Sequence, residues 1–589
     1  MISPDDDDGL SRRLTVLYGS QTGNAEDVAN RIAREARRRH WIARSLAMDD
    51  YDKSEVLEEQ WIIFVAATSG QGQEPSNMRS FWQFLLRSDL PAQLLDQLRF
   101  TVFGLGDSSY SKYNWPARKL WNRLLMLGAV PFHEKGEADD QHYAGIEGTL
   151  DPWLEDLWRT LDALMPMPAH LNLIPSTAMP SARVSLSSAK QSTLSDVVSS
   201  SQDLVWATVS RNERATAPDH FQDTRYFDLT LDDATQWRAG DVLELKPKNI
   251  QKDVDMFLKH VRWADQADQP LRIESASQDQ PLPPYWPAIA TVRQICRELL
   301  DIFAVPRRSF FEMLAYFAKS DLEAERLREF CMPANQDELW DYSTRPRRTI
   351  TEVLSEFKSV EIPLAYIFDV FPEIKPRQFS IASSSLVDPK RVQLLVAIVD
   401  YKTILHLPRR GVCTHWLKTL QPGTRLQVKI MPGSLETPKE INTPIICVGP
   451  GTGIAPFRAL AQERAAQTEQ TDLTIFFGCR SLEKDFYHAQ EWQKAHDAGR
   501  LKFIVAASRD TPDKVYVQHK LREEAVWLWQ LLRQGAHVYI SGSAGQMPKS
   551  VRKALIEIIE TQSHVSRMEA QAYLDTMEAD GRLQEETWS

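Results

Sequence analysis

The sequence predicts an α/β chain of several domains: a doubly wound parallel sheet first, then a module opened by an antiparallel barrel with a helical insertion, then a second nucleotide-binding sheet. Three observations predict it. Apolar runs at 14–18, 61–67 and 100–105 each end in a polar, glycine-containing loop and alternate with helical patterns such as 25–38. Residues 205–245 alternate apolar with polar like antiparallel strands, 285–357 read mostly helical, and strand-like sequence resumes at 378–381 and 393–399, so the helices are an insertion. From Thr443 onward, apolar runs at 445–448, 473–477, 502–506 and 537–540 again alternate with helices.

The chain has 589 residues, 43% hydrophobic and 25% charged, enough for about three to four domains. No stretch approaches the roughly 18 apolar residues a membrane span needs, and Met1 to Gly9 is acidic where a secretion signal would be basic and then apolar. The expectation is a soluble, unprocessed chain. Cys296, Cys331, Cys413, Cys447 and Cys479 lie far apart with no C-x-x-C pair, so neither a disulfide framework nor a metal site is expected, and a reducing compartment is. Residues 1–166 hold 26 acidic against 18 basic side chains, a net of −8 within the chain's −11, and no basic footprint speaks for nucleic acid. Serines crowd 170–202, where no apolar period is sustained. The expected boundaries are an acidic tail at 1–13, a first domain at 14–166, a serine-rich linker at 167–203, the barrel at 204–440 with its insertion at about 250–365, and the last domain at 441–589.

The loop Ser20-Gln21-Thr22-Gly23-Asn24-Ala25 joins the first strand to a helix N-terminus and offers hydroxyls and backbone N–H groups to an anion. Alone it could be an ordinary turn capped by Asn24. The loops Thr68-Ser69-Gly70-Gln71-Gly72 and Gly104-Leu105-Gly106-Asp107-Ser108-Ser109-Tyr110 leave the same carboxyl edge, where glycines admit a flat ring and Tyr110 can stack on it. Together these loops resemble the FMN domain of the diflavin reductases. The resemblance implies a flavodoxin-like sheet with FMN held by Ser20, Gln21, Thr22, Gly23, Asn24, Ala25, Thr68, Ser69, Gly70, Gln71, Gly72, Leu105, Gly106, Asp107, Tyr110, Tyr113, Asn114 and Asp139. Ser69 stands where microsomal cytochrome reductases carry an aromatic residue.

Arg377-Gln378-Phe379-Ser380 puts a cation, an aromatic ring and a hydroxyl on one short strand, which a solvated strand could also do. It resembles the R-x-[YF]-S motif of the ferredoxin-NADP-reductase-like FAD domain. That implies Arg377 on the FAD pyrophosphate, Gln378 beside it, Phe379 against the flavin and Ser380 near flavin N5. Gly411-Val412-Cys413-Thr414 matches the family's second pyrophosphate loop, with Cys413 as a buried structural thiol. Gly449-Pro450-Gly451-Thr452-Gly453 follows an apolar strand and precedes a helix, as a dinucleotide turn requires. Ser508, Arg509, Lys514 and Tyr516 follow the run at 502–506; two cations, a hydroxyl and a ring suit a 2′-phosphate and adenine, which selects NADPH over NADH, although a solvated basic turn would look similar. The family places Arg480 near that nucleotide. It also implies that Trp588 stacks on the FAD ring where nicotinamide must go and that Glu586 assists hydride transfer with Ser380. Ser541 and Ser543 replace a Cys and an Asp of the microsomal relatives.

The motifs span 14–589 in diflavin order, and the chain resembles the cytosolic NADPH-dependent diflavin oxidoreductase family. The absence of an anchor, the short tether and the stretch Val305-Pro306-Arg307-Arg308-Ser309-Phe310-Phe311-Glu312 carry that choice. The resemblance implies a ferredoxin-NADP-reductase-like module with a Rossmann-like NADPH domain, electron flow from NADPH to FAD to FMN, a cytoplasmic location, and an anamorsin-type iron–sulfur protein as acceptor in cytosolic iron–sulfur cluster assembly. A soluble reductase for haem proteins or sulfite, and a turnover-poor flavin-binding interaction module, stay open as alternatives.

Overall fold

The computed structural model describes residues 12–588 apart from 111, 191–203, 278–279, 405 and 469–471. The acidic tail before residue 12, the serines at 199–201 and Ser589 lie outside the described residues. The chain divides into two compact units, one taking the N-terminal body with Lys248–Lys375 and Thr403–Leu407, the other the barrel strands with everything from Pro408 onward.

The N-terminal body is a parallel sheet of β1 (Arg13–Gly19), β2 (Ile42–Ala47), β3 (Trp61–Ala67), β4 (Arg99–Gly106), β5 (Val130–Pro131) and β6 (Gly136–Asp139), ordered β2-β1-β3-β4-β5 with β6 also beside β4. Its central strands are apolar throughout because helices cover both faces. Asn24–Arg38 and Glu147–Leu164 close one face over Val16, Ile63 and Phe103, and Arg79–Leu85 with Trp115–Met126 close the other over Leu17, Phe64 and Val102. Along Asn24–Arg38 the buried residues Ala25, Val28, Ala29, Ile32, Ala33 and Ala36 recur at helical spacing, which makes a flat, close-packing stripe.

The insertion shares a unit with this body rather than with the barrel whose sequence it interrupts. Its helices, Arg308–Phe317 among them, enclose an aromatic core around Phe257, Trp263, Phe310, Phe311 and Phe371. Serine content predicts a tether over 167–203, and here the structure differs. Val184–Ser188 is a strand paired with Pro270–Ser275, and Tyr366 donates from its hydroxyl to the Pro180 carbonyl at 2.9 Å. Val184 is buried and Leu186 half-buried while Ser185 and Ser187 face out, a two-residue period that the serine content hid.

In the second unit the antiparallel sheet runs β10-β9-β12-β7-β8-β11, from β7 (Val205–Arg214), β8 (Thr224–Leu231), β9 (Val242–Leu245), β10 (Arg377–Ser380), β11 (Arg391–Ala397) and β12 (Arg425–Met431). The last sheet is parallel: β13 (Ile445–Pro450), β14 (Leu473–Cys479), β15 (Lys502–Ala507), β16 (His537–Ser543) and β17 (Leu583–Trp588), ordered β15-β14-β13-β16-β17. Strand order reverses at β1/β3 in the first sheet and at β13/β16 in the last, and doubly wound sheets bind ligands at such switch points.

Candidate functional site

Three loops gather at the carboxyl edge of the first sheet. After β1, Gly23 takes φ 95° and donates its N–H to Ser20 Oγ at 3.0 Å, while Ser20 N–H donates to Asn77 Oδ1 at 2.8 Å. Gln21 is turned away, its Oε1 accepting from Ser76 N–H at 3.1 Å, so it braces the loop. After β3, Ser69 and Gln73 exchange backbone bonds of 3.0 and 2.8 Å, pinning a tight turn around Gly70 and Gly72. A Cβ on Gly72 (φ 92°) would lie 2.5 Å from Lys112 Cβ, so the loops touch only because that position is glycine. After β4, Asp139 Oδ1 accepts from the N–H groups of Ser108 and Gln141 at 2.9 and 3.0 Å. Burial works against its ionisation, but the Ser108 bonds prevail and hold the carboxyl below its ordinary range. Asp139 is therefore a brace for the loop that carries Tyr110. Tyr113 donates to the Glu137 carbonyl at 2.9 Å, and buried Asn114 donates from Nδ2 to the Ala138 carbonyl at 3.1 Å. Thr68 Oγ1 and Asn114 Oδ1 are buried with no hydrogen-bond partner among the described residues. Both atoms are sealed from solvent, Asn114 Oδ1 against Gly104 and Gly106, so they belong to the floor of the loops; the parts that fit FMN are the helix-start loop, whose N–H groups can meet a phosphate, and the Gly70 to Gly72 turn, which admits a flat ring.

In the second unit, β10 carries Arg377 and Gln378 exposed, with Gln378 Nε2 donating to Glu244 Oε2 at 2.9 Å. Phe379 is half-buried against the barrel core. The turn before the helix Val412–Thr419 is fixed by Gly411 N–H to the Val399 carbonyl and by Val399 N–H to Thr414 Oγ1, both at 3.0 Å. A Cβ on Gly411 would lie 2.8 Å from that Thr414 oxygen, so backbone there approaches as closely as a pyrophosphate loop must. Cys413 is 5% exposed in the barrel core, and burial pushes its thiol up to about 12. It offers a ligand its backbone, not its sulfur.

Ser380 Oγ donates to Glu586 Oε1 at 2.8 Å. Glu586 sits on β17 opposite Ser541 of β16. Its Oε2, like Ser541 Oγ, is buried with no partner among the described residues. Burial outweighs the Ser380 bond and raises the Glu586 carboxyl to about 7. Two residues further along β17, Trp588 pairs with Ser543, 40% exposed and with its carbonyl accepting from Ala544 N–H at 2.8 Å.

At the β13/β16 switch point, Gly453 lies so near β16 that a Cβ would fall 2.1 Å from the Ser541 carbonyl, while Gly451, at φ 59°, opens on free space with Thr452 between them. After β14 and β15, Arg509 N–H donates to the Arg480 carbonyl at 2.8 Å, which sets the backbones of two exposed arginines side by side; the Arg480 guanidinium lies over the Phe221 ring, 4.0 Å from its centroid. Lys514 and Tyr516 are exposed nearby in sequence. Ser508 is 8% exposed and its hydroxyl donates to the Cys479 carbonyl at 3.2 Å, so it braces the turn, against the expectation that it donates to a phosphate. The residues fit a nucleotide bearing an extra phosphate.

Sequence reasoning missed Asn77, which lies 57 residues from the loop it holds. It also missed Arg307, whose motif served above only as a family mark.

Comparison with known proteins agrees with this order of sites. The flavodoxin family model matches residues 16–153, the FAD binding domain model 198–416, and the oxidoreductase NAD-binding domain model 447–553. The chain is 43% identical to NADPH-dependent diflavin oxidoreductase 1 of Danio rerio, over 98% of this chain and 99% of that one. It is 41% identical to the protein of that name in Xenopus laevis (98% and 100%) and 38% identical to the one in Schizosaccharomyces pombe (98% and 99%). With FMN, FAD and NADPH sites in one polypeptide, the chain belongs to the NADPH-dependent diflavin oxidoreductase family.

Proposed function

We propose that this oxidoreductase passes electrons from NADPH through FAD and FMN to an iron–sulfur protein of the anamorsin type, in the cytoplasm, as part of iron–sulfur cluster assembly. The observation that carries this reading is likeness over nearly the whole length, through all three domains, to one family of relatives. When bound, the flavins supply the change from two-electron to one-electron chemistry. The chain's own residues bind and orient. Arg480, Arg509 and Lys514 face the 2′-phosphate, Gly451 to Gly453 let the nucleotide's pyrophosphate meet a helix start, and Ser380 with Glu586 holds a hydroxyl and a carboxyl at the end of β10. Arg377 and the Gly411 to Thr414 turn take the FAD pyrophosphate. Ser20 to Ala25 take the FMN phosphate, with Thr68 to Gly72, Leu105 to Asp107, Tyr110 and Asn114 around the ring.

The net −8 of residues 1–166 points to an acceptor with a basic docking face. The test mixes the full-length holoprotein with NADPH and a cluster-loaded anamorsin-type protein, and follows cluster bleaching. The expected result is bleaching that outpaces reduction of a haem protein and slows as salt rises. Faster haem reduction with no bleaching would replace this acceptor by the haem alternative.

Trp588 gives a second test. Its backbone carbonyl holds Ala544, so Trp588→Ala keeps the strand pairing that truncation would remove. If the indole competes with nicotinamide for the FAD ring, the ratio of NADH to NADPH kcat/KM should rise by about 2- to 10-fold, the worth of a stacking contact. An unchanged ratio at unchanged flavin content would make Trp588 a tail residue.

A further inference from the structure

Within the first unit, the stretch that opens the helix Arg308–Phe317 lies on the phosphate loop of the N-terminal body. Arg307 donates from Nε to Asn24 Oδ1 and from Nη2 to the Thr22 carbonyl, each at 2.9 Å. Its Nη2 would be 3.1 Å from a Cβ on Gly23, so the guanidinium lies directly over the loop's glycine. One residue on, Arg308 Nη1 donates to Asp151 Oδ2 at 2.7 Å and Glu147 Oε2 at 3.3 Å, the two carboxylates that Arg31 of the body also grips, at 2.6 and 2.7 Å. Ser309 donates to Asp27, and Lys375 pairs with Glu26 at 2.7 Å. Ser309 and Lys375 thus reach the helix Asn24–Arg38 that begins at the phosphate loop, and Arg308 grips the helix Glu147–Leu164 at the carboxylates shared with Arg31 of that same helix Asn24–Arg38.

We propose that Arg307 is a positioning residue for the FMN phosphate, lent to the loop by the insertion while the N-terminal body is docked, so that FMN binding and docking strengthen each other. The inference rests on the assignment of Ser20 to Ala25 to the FMN phosphate made above. Both Arg307 bonds go to acceptors, the Thr22 carbonyl and the Asn24 amide oxygen. They draw those acceptors aside and leave the loop's N–H groups other than those of Ser20 and Gly23 for the dianion, while the guanidinium adds a full charge to the partial charge of the helix start. Arg308 gives the docking its hold without touching the loop. Since the phosphate gains Arg307 only in the docked state, linkage requires that FMN favour docking by the same factor.

The test uses the full-length chain and two readouts: the FMN dissociation constant, from flavin fluorescence, and backbone hydrogen exchange at 306–317 with and without FMN. R307A should weaken FMN by about tenfold and leave FAD in place, and R307K should recover part of the loss by restoring the charge. R308Q, whose side-chain partners are Glu147, Asp151 and Glu312, should also weaken FMN by several-fold, and should add nothing on an R307A background. Stripping FMN should speed exchange at 306–317. If R307A folds poorly, R307K and R308Q decide alone. FMN affinity within twofold of wild type in R307K and R308Q, or exchange indifferent to FMN, would overturn the proposal. Wild-type protein that takes up no FMN would overturn the loop assignment instead.

Discussion

Glu586→Gln is expected to slow NADPH-driven flavin reduction by about 10- to 100-fold at pH 8, and to erase a pH dependence that the wild type shows near neutrality. The carboxyl is raised to about 7 by burial, so at pH 8 it is ionised and at pH 5.5 it is not. The nicotinamide ring becomes positive as hydride leaves NADPH, and if Glu586 lies beside it as the family resemblance implies, a buried anion there would stabilise that change while a neutral acid or amide would not. The wild-type rate should therefore climb as pH rises through about 7, and the two proteins should converge below pH 6. Ser380 can still donate to the Gln oxygen, so the substitution removes charge while keeping the 2.8 Å bond. Stability moves in the opposite sense. The folded state keeps a proton that the unfolded chain, with its carboxyl near 4.5, has already lost, so folding weakens as pH rises from about 4.5 to 7, by up to about 3 kcal/mol. The Gln variant should lose that slope. Stopped-flow reduction and thermal melts across pH 5 to 9 measure both, and a flat wild-type rate profile would remove Glu586 from the reaction.

What the sequence made legible follows from how local each signal was. The two parallel sheets could be read because buried parallel strands are apolar runs, mostly ending in glycine loops, and the barrel because its antiparallel strands alternate apolar with polar; each pattern is local in the sequence. The insertion's helices were visible too, but not their company: nothing in 308–317 says that its partners are Asp27, Glu147 and Asp151, because ion pairs and hydrogen bonds 157 to 282 residues apart leave no periodicity. The strand Val184–Ser188 was hidden by composition, since serine on the outer face of an edge strand reads as linker. At the sites, motifs located the residues without their roles. Ser508, Gln21 and Asp139 stand where expected, yet their polar atoms serve the backbone of their own unit; hydrogen-bond direction is set by neighbours that a motif does not contain.

Those assignments of direction give the nucleotide site a sharp expectation. Arg509 is exposed, its backbone N–H is tied to the Arg480 carbonyl, and its guanidinium makes no hydrogen bond or ion pair among the described residues, so Arg509→Ala should leave the melting temperature unchanged. A charge-assisted, forked bond to a phosphate is worth roughly 2–3 kcal/mol, so KM for NADPH should rise by about 30- to 150-fold. NADH carries no 2′-phosphate, and its KM should move by less than about twofold on the same grounds. Ser508→Ala separates this reading from a general weakening of the turn. Because the Ser508 hydroxyl is already given to the Cys479 carbonyl, its loss should change NADPH binding far less than the loss of Arg509 does, while lowering stability modestly. Steady-state kinetics with both coenzymes on the two variants decide the matter: equal losses for NADH and NADPH in Arg509→Ala would mean that this arginine shapes the turn and does not read the phosphate.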